Sequence, residues 1–150
     1  MKFIETSSPL NSSDIDKIEE ELGFKLPESL LSHYLKSNGG IPENQYFYSE
    51  DHERFFYLRL MKPFTYQSVA GETYTIEDSY RMYAVERKAL PKHLLPFGTS
   101  HGGGLFCINI KDESILLVEM DLGEVTDETV FFLSDSLTHF LTNLEEEGDD

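Results

Sequence analysis

A histidine followed by three glycines, His101-Gly102-Gly103-Gly104, lies between two apolar runs, residues 94–98 and 105–110. Glycines in that company invite two kinds of chemistry. Their backbone amides can cradle a phosphate, but such a loop opens a helix in a G-x-G-x-x-G or G-x-x-x-x-G-K-[ST] frame. Here the glycines run into a strand pattern, and the next lysine is Lys111. The quartet also looks like the oxyanion loop of lipases, whose chemistry needs a G-x-S-x-G serine elbow, a frame not expected at any serine here. The expected order here is strand, glycine turn, strand, with no nucleophile. The glycines are therefore read as structural, permitting positive φ and close backbone approach.

Two further groups carry reactive side chains. Asp51-His52-Glu53 would suit a metal only if other ligands converged on it, and it is read instead as a solvated hairpin tip. Cys107 is the single cysteine and falls in an apolar run with nothing nearby in sequence to lower its pKa, so it is read as a small buried hydrophobe. One cysteine forms no internal disulfide and suits a reducing compartment. With no apolar targeting segment at the N-terminus and no apolar run of membrane-spanning length, a cytoplasmic location is expected. The five histidines are scattered, and general acid–base work needs partners within hydrogen-bond reach.

The elements that position these groups follow from spacing. Ser12 and Ser13 offer caps to a helix with Ile15, Ile18 and Leu22 on one face, stopped by Gly23. Pro27 opens a second helix with Leu30, Leu31, Tyr34 and Leu35 facing inward, closed by Asn38-Gly39-Gly40. Residues 46–48 and 54–61 read as two strands joined by the turn 49–53; in the second, Phe56, Leu58 and Leu60 share one face and Phe55, Tyr57 and Arg59 the other. The aromatics between Tyr46 and Tyr66 exceed what one sheet face buries, which leaves some for a contact surface. Thr75 and Asp78 cap a third helix to about Arg87. The run 105–110 is apolar on both faces, so it should be the central strand, paired through the turn 111–114 with 115–120. A short strand at 130–133 precedes a last helix, capped by Ser134, with Leu137, Phe140, Leu141 and Leu144 at i, i+3, i+4 and i+7. The acidic end, 145–150, opposes the helix dipole and should fray.

At 150 residues one domain is expected. The net charge of −16 is unevenly placed: residues 1–111 carry 15 acids and all 12 bases, whereas residues 112–150 carry 13 acids and no lysine or arginine. Such a surface repels nucleic acid and anionic membrane and speeds encounter with a basic protein. The candidate partner-binding residues are Glu50, Asp51, Glu53 and Tyr57 of the hairpin and Glu119, Asp121, Glu124, Asp127 and Glu128 of the acidic quarter. Structural roles are assigned to Pro27, Gly39, Gly40, Pro96, Gly98, Gly103 and Gly104.

Several of these pieces occur in a familiar order. Ile18, Glu21, Leu22, Leu26-Pro27, Tyr34-Leu35 and Asn38-Gly39-Gly40 stand at the front; Leu95-Pro96-Phe97-Gly98, Gly103-Gly104 and Cys107-Ile108 stand in the middle; Ser136, Phe140 and Leu141 stand at the end. In this order the chain resembles the SUKH superfamily, the Smi/Knr-type domains of fungal cell-wall assembly regulators and bacterial immunity proteins. The resemblance implies an α+β fold: a single twisted, mostly antiparallel sheet with an N-terminal helix pair, a middle helix and a C-terminal helix packed on it. It also implies no catalytic activity and no cofactor. The function it implies is an immunity protein that neutralises a toxin domain by direct binding, with a regulatory scaffolding module as the alternative. A basic toxin surface, for instance that of a nuclease, is the expected partner. Exposed edge strands would allow a weak homodimer beside the monomer.

Overall fold

The computed structural model describes residues 2–120, 126 and 128–146. Asp121, Glu124, Asp127 and the last four residues lie outside the described residues. The first helix, α1 (Ser12–Leu22), begins one residue earlier than its serines suggest. Asn11 Oδ1 accepts from the Asp14 N–H at 2.8 Å while the Asp14 carboxylate accepts from the Asn11 N–H at 3.0 Å. This reciprocal box satisfies two otherwise orphaned donors, which neither Ser12 nor Ser13 does here. Gly23, at φ 85°, ends the helix as expected. Pro27 caps α2 (Glu28–Lys36), which buries Leu30 and Tyr34 and half-buries Leu31. Leu35 does not face inward; it is 49% exposed, because the buried stripe of this nine-residue helix runs through the i, i+4 pair 30 and 34.

The strands pair antiparallel throughout, in three sheets rather than one. The largest has the order β5 (Leu60–Met61), β6 (Leu94–Thr99), β7 (Gly104–Asn109), β8 (Ile115–Glu119), β9 (Val130–Ser134). The strand expected to be central, β7, is central, and Leu105, Phe106, Cys107 and Ile108 are all buried. A bulge between Pro96 and Gly98 interrupts its pairing with β6. A second sheet joins β3 (Tyr46–Ser49) and β4 (Arg54–Tyr57) to β10 (Leu144–Glu145), and a third pairs β1 (Phe3–Ile4) with β2 (Ile41–Pro42). The run expected to be one strand from 54 to 61 is divided, because Leu58 N–H donates to Gln45 O at 2.7 Å and Arg59 N–H to Thr99 O at 2.8 Å. At that point the chain leaves one sheet for the other. A bridge between Gly40 and Met61 likewise ties β2 to the edge of the large sheet.

Thr75 caps α3 (Ile76–Tyr80), which continues as a π-helical segment to Glu86 and packs on β6 and α1. Ser136 rather than Ser134 caps α4 (Leu137–Thr142). The Ser134 hydroxyl instead lies 2.7 Å from His139 Nδ1. Leu144 reaches the core as expected, but on β10, opposite Phe47, and Glu145 pairs with Tyr46 instead of fraying. Among the described residues no helix is long and apolar enough to cross a membrane.

Candidate functional site

The β3–β4 hairpin has two faces that its alternating residues define. Phe47 and Phe56 point into the core and are 3% and 2% exposed. Tyr46, Tyr48, Phe55 and Tyr57 lie on the other face, in two cross-strand rows. Their rings form a ladder. Tyr48 and Phe55 are 5.0 Å apart, Phe55 and Tyr46 6.5 Å, and Tyr46 and Tyr57 4.9 Å. His101, from the glycine turn, stacks on Tyr57 at 4.6 Å and 21°. Tyr48 is exposed and the other three rings are half-buried.

The tip, between the strands, holds Glu50, Asp51 and Glu53, all exposed. His52 does not join them in a ligand cluster. Its Nε2 lies 3.0 Å from Phe132 O, and its ring packs edge-on against Phe56 and Phe131. Among the described residues no group of three or more His, Cys, Asp or Glu side chains is placed to hold a metal. Arg54 lies over the Phe56 ring at 4.2 Å and the Phe131 ring at 5.1 Å, and reaches Glu119 at 3.7 Å. These contacts fasten the hairpin tip to β8 and β9. Next to the tip, between it and α4, runs a groove of about 430 Å³. Tyr48, Glu50, Asp51, His139, Asn143 and Glu145 are on its walls, and no lysine or arginine lines it.

The candidate acids are thus only partly brought together. Glu50, Asp51 and Glu53 lie together at the hairpin tip, whereas Tyr57 stands at the far end of the hairpin, opposite Tyr46. Glu119 is committed to Arg54, and Glu128 stands in a turn whose N–H donates to Thr126 Oγ1 at 3.2 Å. The sequence reading left out Tyr46, Tyr48, Phe55 and Glu145 as site residues. The two-residue alternation in both strands carried the signal for the three rings, since it sets them on the face opposite Phe47 and Phe56. Nothing local marked Glu145, whose place depends on pairing across about a hundred residues of chain.

The glycine turn carries one correction. Gly98-Thr99-Ser100-His101-Gly102 does spell G-x-S-x-G, a frame the expectation of no nucleophile passed over. Its context is not an elbow: the turn joins the antiparallel strands β6 and β7, Ser100 N–H donates to Gly104 O at 3.0 Å, and the neighbouring imidazole is stacked on Tyr57. Gly102 and Gly103 have φ of 76° and 87°, the positive values expected. Cys107 is fully buried, and burial pushes its thiol well above the usual range.

Pro27, Gly39, Gly40, Pro96 and Gly98 all serve the frame around this face. Pro27 starts α2, and Pro96 and Gly98 flank the bulge on β6. Gly39 and Gly40, at φ 75° and 102°, bring the end of α2 against β5 and β1. Gly104 opens the central strand, where a Cβ would crowd Leu117. A search among curated proteins returned no match. The model of the SMI1 / KNR4 family (SUKH-1) matches residues 9–143, from just before α1 through α4, and the chain belongs to that family.

Proposed function

We propose that this chain is a non-catalytic protein-binding domain that acts as an immunity protein, neutralising a bacterial toxin domain by direct contact through its acidic side. The observation that carries this reading is the hairpin tip: Glu50, Asp51 and Glu53 are exposed together beside a groove whose walls hold no lysine or arginine. Membership of the SMI1 / KNR4 family (SUKH-1) fits this role and the regulatory scaffolding role alike, and the exposed acids favour the first. The state of the reactive groups also supports it. Cys107 is sealed in the core, His52 and His101 are packed on aromatic rings, and the His139 ring is engaged by the Ser134 hydroxyl. A basic partner would be drawn in by the net charge of −16, giving fast, salt-sensitive association.

Capture from lysate of the source organism, with washes at low and high salt, tests the reading. The expected prey is a large polypeptide ending in a toxin domain, released by salt, whose toxicity disappears when this chain is co-expressed. An envelope or signalling protein as prey would favour the regulatory scaffolding role instead. Toxin capture that survives both high salt and Glu50→Gln/Asp51→Asn substitution would refute the electrostatic part.

A further inference from the structure

The outer face of the β3–β4 hairpin is a sheet face with aromatic rings outward and no element of the described chain laid over Tyr48, which is 41% exposed. Tyr48 and Phe55 form the row nearest the tip, and Tyr46 and Tyr57 the row two residues below. Carboxylates stand at its margin, Glu50 and Asp51 at the tip and Glu145 on the neighbouring strand β10, all exposed. Arg54, the cation closest in sequence, is turned away onto Phe56, Phe131 and Glu119. Aromatic faces carry negative potential, so rings rimmed by carboxylates select for a cation that is itself flat and weakly hydrated. A guanidinium fits both parts, stacking on the ring and pairing with a carboxylate.

We propose that this face seats an extended, arginine-bearing segment of the partner protein, with one guanidinium over the Tyr48–Phe55 row and against Glu50 and Asp51, and a second against Glu145 beside the Tyr46–Tyr57 pair, where Tyr57 is already stacked by His101. The inference rests on the reading of the chain as a protein-binding domain and names the surface and chemistry of that contact. Successive same-face residues of a strand are about 6.6 Å apart, which is also the spacing of two rows on the hairpin. The matching segment therefore carries arginines at alternate positions and runs along the hairpin. Other occupants fit less well. A phosphate backbone is repelled by the rim, and so is a second copy of a chain with net charge −16. A neutral sugar would stack on the rings but leave the carboxylates unused.

The test is calorimetric titration of the intact protein with a synthetic peptide of alternating arginine and serine. Its lysine and citrulline counterparts and a neutral oligosaccharide serve as comparison probes. Arginine is expected to bind more tightly than lysine, and citrulline to lose binding. Tyr48→Thr, which keeps strand propensity, should weaken the arginine peptide about threefold or more. Circular dichroism confirms that the variant is folded, and Phe55→Thr substitutes for it if it is not. Equal binding of arginine and lysine, unchanged by the ring variants but lost in Glu50→Gln/Asp51→Asn, would overturn the inference and leave the protein-binding reading standing. Ring-dependent binding of the oligosaccharide alone, or no binding of any probe, would overturn it as well. Toxin capture from lysate is scored separately, so its failure alongside ring-dependent arginine binding would count against the immunity reading alone.

Discussion

Lys62 is 3% exposed, and its Nζ donates to Thr73 Oγ1 at 2.7 Å. Burial lowers its pKa from 10.5 to about 8, with Cys107 opposing the shift and Arg59 adding to it. Between these two values the unfolded chain holds more protons than the native one, so stability rises with pH across that window. The full difference corresponds to about 3 kcal/mol. Lys62→Met removes the buried charge at similar volume, and the variant should be at least as stable as the parent at pH 7. Urea unfolding at pH 7, 8 and 9 checks this, and an equal upward slope in the variant would show that Lys62 is not its source. The lysine was illegible in the sequence because one cation in an apolar run reads as an edge position. Its hydrogen-bond partner, Thr73, lies outside that run. Gly40 shows the same limit. Asn38-Gly39-Gly40 reads correctly as the end of α2, but a Cβ on Gly40 would lie 2.6 Å from Ile4 O, a contact that only the folded N-terminal strand creates.

The hairpin is held to the large sheet by two kinds of contact, and their magnitudes differ. The Arg54–Glu119 pair spans 3.7 Å with the arginine side chain about half exposed, so water and salt screen it. The Arg54 side chain over Phe56 and Phe131, with the His52 and Phe56 rings against Phe131, removes apolar area from water, and that apolar part does not depend on salt screening. Glu119→Gln should therefore cost less than about 1 kcal/mol, and Phe131→Ala about 1–2 kcal/mol. Chemical denaturation of the two variants decides it, and a larger loss for Glu119→Gln would reverse the assignment. The hairpin itself was legible, since Phe56, Leu58 and Leu60 alternate as buried residues whether or not the strand is broken. The break was not, because the hydrogen bonds of Leu58 and Arg59 go to Gln45 and Thr99, partners no local pattern reveals. The end of α4 was misread for a related reason. Leu144 keeps helical spacing with Phe140 and Leu141 although a strand delivers it to the core, and periodicity alone cannot tell the two routes apart.

On the scale of the whole molecule, charge acts on folding and on binding with opposite sign. The order of elements and the central strand followed from turns and apolar periods, but the three-sheet division depends on long-range pairing. Charge was legible in full, because composition fixes it whatever the fold. With 28 acids against 12 bases, the native state confines carboxylates that the unfolded chain holds further apart. The ion pairs found among the described residues, made by Arg54 and Arg81, have half-exposed arginines and offset little of this repulsion. Raising ionic strength from about 0.01 M to about 0.15 M shortens the screening length from about 30 Å to about 8 Å. Screening relieves repulsion within the chain and weakens attraction to a basic partner by the same mechanism. The melting temperature should thus rise over that range while affinity for an arginine-bearing peptide falls. Thermal melts and titrations in the same buffers measure both. A melting temperature that drops with salt would mean that favourable pairs dominate the fold, and the acidic side would then be matched internally and have little field left for a partner.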